Sequence, residues 1–473
     1  MNRNLSIVVL GRVLQVLIAL VAIRVLTTFL SPEEIGNYYI ILALLAFFNL
    51  VLLNPPGMYF GRHLLQWQRS KNLLNALFVF VLWIIIVAIV AIPVSMSIYY
   101  WLGYEARFDL DLFLIYIFIA IIISTIHRNV MYGVNTLGYR KEFVIYLIST
   151  LLIGLVFSAS IVYFYYEFAL GWLMGIILAE ALMLYLIFKF FIQKNRLDIN
   201  KIKLTLSKDK LNKILSFTLP VCVTTFLFWG QTTAYRFIVD YQYSAEVLGY
   251  LAVGLAISSA IFGAVESISM QYFNPIFLKK ILDASKDKRS KAWNDIAKQI
   301  VPIYIITAFF TVAMSEVLIN ILVDKKFHES YIYTMLGVGV EFFRVMTNLV
   351  YNVSQSERKT KYTVKPYLLG FIVSLGILIV TNFGTNYFMI PIVLGGAYFL
   401  VFIYMYSNMK KLLDIHIEVK MLKMLLLTLP FSIVYFIDVA SLGTALNLFV
   451  ISTFGIYFLY VIWIEVKKKV IYE

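Results

Sequence analysis

Charge is what this sequence has least of: Asp, Glu, Lys and Arg make up 14% of its 473 residues, against about 25% in an ordinary soluble domain. Cysteine is scarcer still. Cys222 is the only one and lies in an apolar stretch, which excludes an intramolecular disulfide or a cysteine-built metal cluster. The four histidines are scattered without metal-ligand spacing. There is no phosphate-cradling glycine loop, no Ser/His/Asp arrangement outside the apolar runs, and no loop large enough to house an active site. These absences argue against catalysis, a metal or a cofactor. A cleavable leader is not expected either, because the first apolar run is too long, contains Arg12 and Arg24, and lacks a small-residue cleavage site.

What fills the chain is hydrocarbon: 62% hydrophobic and 16% aromatic residues, as suits a membrane protein with two interfacial aromatic belts. A span needs about 20 mostly apolar residues. Fourteen runs qualify, at roughly 5–30, 37–61, 73–101, 110–134, 143–166, 172–192, 213–239, 247–277, 299–323, 331–354, 364–383, 387–407, 421–438 and 445–464. The last pair is the weakest, since Met421–Asp438 is short. The expected class is an all-α integral membrane protein.

The net charge of +14 comes from residues in short loops between spans, which is not a nucleic-acid-binding stripe. Of the 40 Lys and Arg, 33 fall at the N-terminus, in alternate loops and in the tail; only Arg107, Lys325 and Lys326 fall in the others. The positive-inside rule then places both termini in the cytoplasm of a multi-pass protein.

The opening of the chain returns at mid-length. Arg24 falls on Arg236, Ser31 on Ser244, Glu33 on Glu246, Ile35 on Leu248 and Gly36 on Gly249. A second echo pairs Asn129-Val-Met-Tyr-Gly-Val with Asn348-Leu-Val-Tyr-Asn-Val. Six spans separate the copies, so the halves share orientation, as in parallel-repeat transporters. The expected layout is a six-helix lobe over 1–192, a basic cytoplasmic connector over 193–212, a second six-helix lobe over 213–407, and two helices with a basic tail over 408–473. A V-shaped path between the lobes would open alternately to the two sides.

Intramembrane charges cost about 2.5–3.5 kcal/mol each on insertion scales, so each is a functional candidate. Arg12 and Arg24 lie on span 1, about 18 Å apart at the rise of an α-helix, with Gln15 and Thr28 on their respective faces. Each has two readings, a snorkelling anchor or a group facing a wet cavity. Arg236 is the repeat mate of Arg24, with Asp240 one turn on as a candidate partner. Guanidinium groups suit phosphate because they stay charged and donate as a fork. Glu180 and Glu266 are candidates for ion coupling or for balancing the arginines; Glu341 and Arg344, spaced i, i+3, read as a pair. His127 and Arg128 read as interfacial. Asn54-Pro-Pro-Gly57 breaks span 2, and Pro55 and Pro56 form either a static bend or a hinge, provided that something satisfies the carbonyls they free.

The run Leu30-Ser-Pro-Glu-Glu-Ile-Gly-Asn-Tyr38, Thr218-Leu-Pro220 at the start of span 7 and Arg236-Phe-Ile resemble the Wzx-type polysaccharide flippases. These belong to the multidrug/oligosaccharidyl-lipid/polysaccharide exporter superfamily, and the resemblance extends over essentially the whole chain. It implies about fourteen transmembrane helices in two pseudo-symmetric lobes. It also implies translocation of an undecaprenyl-diphosphate-linked oligosaccharide, of the O-antigen or capsule kind, from the cytoplasmic to the periplasmic leaflet of a bacterial inner membrane. Spans 1, 2, 7 and 8 would line a cationic cavity containing Arg12, Arg24, Arg236 and Glu266. The implied partners are that lipid-linked substrate, membrane lipids and other polysaccharide-assembly proteins. Two other readings stay open: a drug/cation antiporter of the same superfamily, which wants acids in its cavity, and a membrane polymerase or ligase, which resembles proteins with a large periplasmic loop.

Overall fold

The computed structural model describes residues 3–165, 167–195, 208–437, 439 and 443–470. Residues 196–207 of the expected connector and 471–473 of the basic tail lie outside them. Among the described residues every regular element is helical. Among the described residues twelve helices are long and apolar enough to cross a membrane, so the chain is an all-α, multi-pass membrane protein.

The two remaining expected spans differ from the twelve for separate reasons. Tyr331–Ser356 has the length but carries Glu341, Arg344, Asn348 and Asn352. The expected span at 421–438 is a short apolar helix, α-helical over Met421–Thr428 and 3₁₀ over Leu429–Phe436. Because a 3₁₀ turn rises about 2.0 Å per residue against 1.5 Å in an α-helix, these two segments together reach about 28 Å. That is close to the ~30 Å hydrocarbon core, so the tighter winding offsets the missing residues.

Contacts divide the chain into two units, Met1–Tyr241 and Gln242–Glu473. The first begins with α1 (Arg3–Phe29) and α2 (Pro32–Phe47). A π-helical turn, Phe48–Leu53, leads into α3 (Asn54–Arg69). It continues with α4 (Leu73–Trp101), α5 (Leu110–Thr136), α6 (Arg140–Phe164) and α7 (Ala169–Asn195). After the connector come α8 (Lys208–Trp229), a second π-turn at Gly230–Ala234, and α9 (Tyr235–Gln242). Contacts thus group the seventh span with the first unit. There α1 packs on α6, α5 on α4 and α7, and α8 on α3.

The second unit contains α10 (Ala245–Ile281), α11 (Lys286–Ala313), α12 (Ser315–Leu322) and α13 (Tyr331–Ser356). It ends with α14 (Val364–Val380), α15 (Met389–Lys410), α16 (Met421–Thr428) and α17 (Thr444–Val470). α13 packs on α10, α11 and α15, while α16 and α17 pack on α11.

The repeated opening does the same local work in each unit. Ser31 caps α2 by accepting from the Glu34 amide, and Ser244 caps α10 by accepting from the Val247 amide, each at 3.2 Å. Each cap is followed by an acid in the first turn, Glu33 or Glu246, which complements the helix dipole. The mates Ile35 and Leu248 are both fully buried. Helices approach closely where side chains vanish, as is usual within bilayers. A Cβ on Gly175 would lie 2.4 Å from the Ser158 Cα, and one on Gly254 would lie 2.6 Å from the Ser330 carbonyl oxygen.

Candidate functional site

One group of polar side chains of the first unit gathers where span 2 changes its winding. In the π-turn the Asn54 amide donates to the Asn49 carbonyl, five residues back. That spacing brings Asn49 and Asn54 into line on one face of the helix. Pro55 and Pro56 then fall in the first turn of α3, where missing amide hydrogens cost little. Pro56 leaves the Leu52 carbonyl without its ordinary i+4 donor, and the Trp83 indole on α4 supplies one at 3.0 Å. The expected break is therefore a π-turn terminated by prolines and satisfied by a neighbouring helix.

Opposite it, α5 presents Ser124, Thr125, Arg128, Asn129 and Tyr132, a set spaced to share one helical face. Between the two lies a cavity of about 350 Å³ lined by Asn49, Leu50, Leu53, Asn54, Gly57, Met58, Thr125, Arg128, Asn129 and Tyr132. Arg128 Nη2 donates to Asn49 Oδ1 at 2.5 Å, and Thr125 Oγ1 donates to the same oxygen at 3.3 Å. Asn129 Nδ2 is tied to the Thr125 carbonyl at 2.8 Å. A Cβ on Gly57 would come within 3.3 Å of Asn129 Oδ1, so glycine keeps this wall of the cavity open. Glu180 on α7 accepts a hydrogen bond from Ser124, one turn before Arg128. Arg128, which reads from sequence as interfacial, lines the cavity.

The anticipated arginines fare differently from one another. Arg12 Nη1 donates to Gln15 Oε1 at 2.7 Å, along the polar face expected of span 1. The carbonyl of Arg24 accepts from Thr27 and Thr28. Arg236 lies over the Tyr39 ring, 4.9 Å from its centroid, an attractive arrangement between a cation and a π face. Its Nε is buried without a hydrogen-bond partner. Asp240 is not its counter-ion: that carboxylate is held by Arg107 at 2.6 Å and by the Tyr104 hydroxyl at 3.1 Å. Burial, and then the adjoining Asp240 charge, push the Tyr104 phenol well above its ordinary range.

In the second unit the charges close on themselves. Arg344 donates to Glu341 at 2.7 Å and to Glu266 at 3.0 Å, while Asn348 donates to the other Glu266 oxygen at 2.8 Å. Glu266, expected as an ion-coupling or charge-balancing group, is thus engaged by Arg344, and Arg12 by Gln15. The cavity flanking this region, lined by Met270, Phe273, Asn274, Phe277, Trp293, Ile296, Leu349 and Asn352, measures about 10 Å³. That is room for one water at most.

Sequence reasoning named Arg128 only as interfacial and missed Asn49 and Ser124. The signal was present on α5, whose polar residues recur at helical spacing within an apolar run.

Comparison with known proteins bears on what this arrangement serves. Residues 25–332 match the sequence family described as "Polysaccharide biosynthesis protein". No curated protein sequence matches significantly. Among solved structures, the lipid II flippase MurJ in an inward closed conformation superposes with a TM-score of 0.69 at 13% identity, over 98% of this chain and 97% of that one. An inward-facing multidrug resistance MATE family transporter gives 0.61 at 12% identity, over 84% and 95%. A eukaryotic MATE transporter gives 0.57 at 10% identity, over 86% and 93%. At such identities the likeness is one of fold.

Proposed function

The chain belongs to the polysaccharide biosynthesis protein family, and from that premise we propose that it is a flippase for undecaprenyl-diphosphate-linked oligosaccharide repeat units. It would carry them from the cytoplasmic to the periplasmic leaflet of a bacterial inner membrane by alternating access of two lobes, 1–192 and 213–407, without catalysis or cofactor. Both termini face the cytoplasm in this reading; reporter fusions at Glu105 and Asp209 should then report periplasm and cytoplasm respectively.

The observation that carries the reading is the state of Arg236. Among the described residues it has no carboxylate partner, Asp240 being committed to Arg107 and Tyr104. An uncompensated guanidinium in a membrane span is retained at a cost, and it fits a diphosphate. Arg24 and Arg12 extend the cationic set along span 1. Glu180 is the ion-coupling candidate and Glu266 the charge-balancing one, while Pro55 and Pro56 fix a hinge in span 2.

The decisive experiment compares Arg→Ala and Arg→Lys at positions 24 and 236, measuring glycan export at matched protein level. Alanine should abolish export and lysine should restore it only in part, since it keeps the charge but loses the fork. Full export with alanine at both positions would falsify the proposed role.

A further inference from the structure

We propose that the cavity between the π-turn of span 2 and α5 binds a glycosyl phosphate, with Arg128 holding the phosphate. The inference rests on the flippase reading only for the source of that ligand. The geometry carries the rest. About 350 Å³ is at the small end of ligand-sized pockets, enough for one sugar ring and its phosphate but not for a long glycan.

Among the described residues Arg128 is the only ionised group lining it; it is exposed to the cavity side and commits one of its five N–H donors to Asn49. Among the described residues no carboxylate is bonded to it; Glu180, the acid in its neighbourhood, is engaged by Ser124. The remaining polar lining consists of the amides of Asn54 and Asn129 and the Thr125 hydroxyl, which match ring hydroxyls as donors and acceptors. Tyr132, half exposed, adds an aromatic face for the C–H side of a pyranose. Gly57 supplies the space. A bare phosphate would leave most of this lining unused, and a neutral sugar would offer the guanidinium no charge.

A glycosyl phosphate and a phospholipid headgroup both present a phosphate ester, so the test separates them. The full-length protein, purified in a detergent without sugar or phosphate headgroups, is titrated calorimetrically with four probes. These are N-acetylglucosamine 1-phosphate, glycerol 3-phosphate, inorganic phosphate and N-acetylglucosamine. The glycosyl phosphate should bind at least about tenfold more tightly than each of the others, as removal of a charge-assisted contact or of the ring contacts implies. Arg128→Gln should weaken it by about tenfold or more. Gly57→Leu, which keeps the charge and fills the cavity, should weaken it similarly. Unchanged binding in either variant overturns the site, and equal binding of glycerol 3-phosphate or inorganic phosphate overturns the ligand. If Arg128→Gln does not fold, Gly57→Leu decides. The titration measures no transport, so the pocket can fail while the flippase reading stands, and the reverse.

Discussion

The fourth and tenth spans carry the same echo, Asn129 with Tyr132 and Asn348 with Tyr351, yet the two units use it for opposite ends. On α13 the arginine is neutralised twice over, by Glu266 and Glu341, and the adjoining void holds at most a water. On α5 the arginine stands over an open cavity with an amide for company. A polar helix face occurs in both units: two carboxylates close it in one, and a cavity of about 350 Å³ adjoins it in the other.

The largest expected effect tests that contrast directly. Arg344→Met strands two carboxylates within the membrane and should cost about 3 kcal/mol or more of stability. Arg128→Met should cost less than about 1 kcal/mol, because it strands no acid bonded to it. Thermal melting of both variants in the same detergent checks this; equal losses would erase the distinction between the units.

Where the units are alike, they should break alike. Gly175→Ala and Gly254→Ala each drive a methyl group into backbone atoms, and each should destabilise by about 1–3 kcal/mol in the same melting assay. A loss confined to one would show that the two helix contacts are not equally tight.

A smaller effect belongs to the first unit alone. Trp83→Phe leaves the Leu52 carbonyl unpaired and should cost about 1–2 kcal/mol. In a Pro56→Ala background, which returns an amide hydrogen four residues on, the same change should cost less. A double-mutant cycle with no coupling would contradict the compensation described for the span 2 break.

Smallest of all is the ion pair of Glu418 with Lys298 in the second unit, at 3.0 Å on an exposed surface. The hydrogen bond from Lys298 holds the Glu418 carboxyl below its ordinary range. A group lowered in the folded state adds stability above that ordinary range and loses it as pH falls through the lowered value. Solvent screens so exposed a pair. Glu418→Gln should therefore leave the melting temperature unchanged at neutral pH and in mild acid, and a clear drop confined to neutral pH would show the pair to be stronger than its exposure implies.

Much of the fold was legible because hydrocarbon length is a local signal. Ser31 and Ser244 were legible as repeat positions, and the structure shows that each caps its helix. The site was less legible for three physical reasons. Glu341 and Arg344 already balance at i, i+3, so nothing in the sequence asked for Glu266 as a third charge. Arg128 was judged by depth, whereas its exposure depends on a cavity that only packing creates. A π-turn has no residue signature, and at Phe48–Leu53 it decides which side chains of span 2 meet α5.

That turn behaves as a phase absorber. Relative to an α-helix, a π-turn accommodates about one surplus residue, and each residue of an α-helix advances the azimuth by about 100°. Deleting a single residue between Phe48 and Leu53 would let span 2 wind evenly as an α-helix, with Asn54, Gly57 and Met58 still turned toward α5. In a span without such a turn the same deletion would rotate everything beyond it by about 100°. The turn is thus the place where span 2 can lose a residue and keep its half of the cavity.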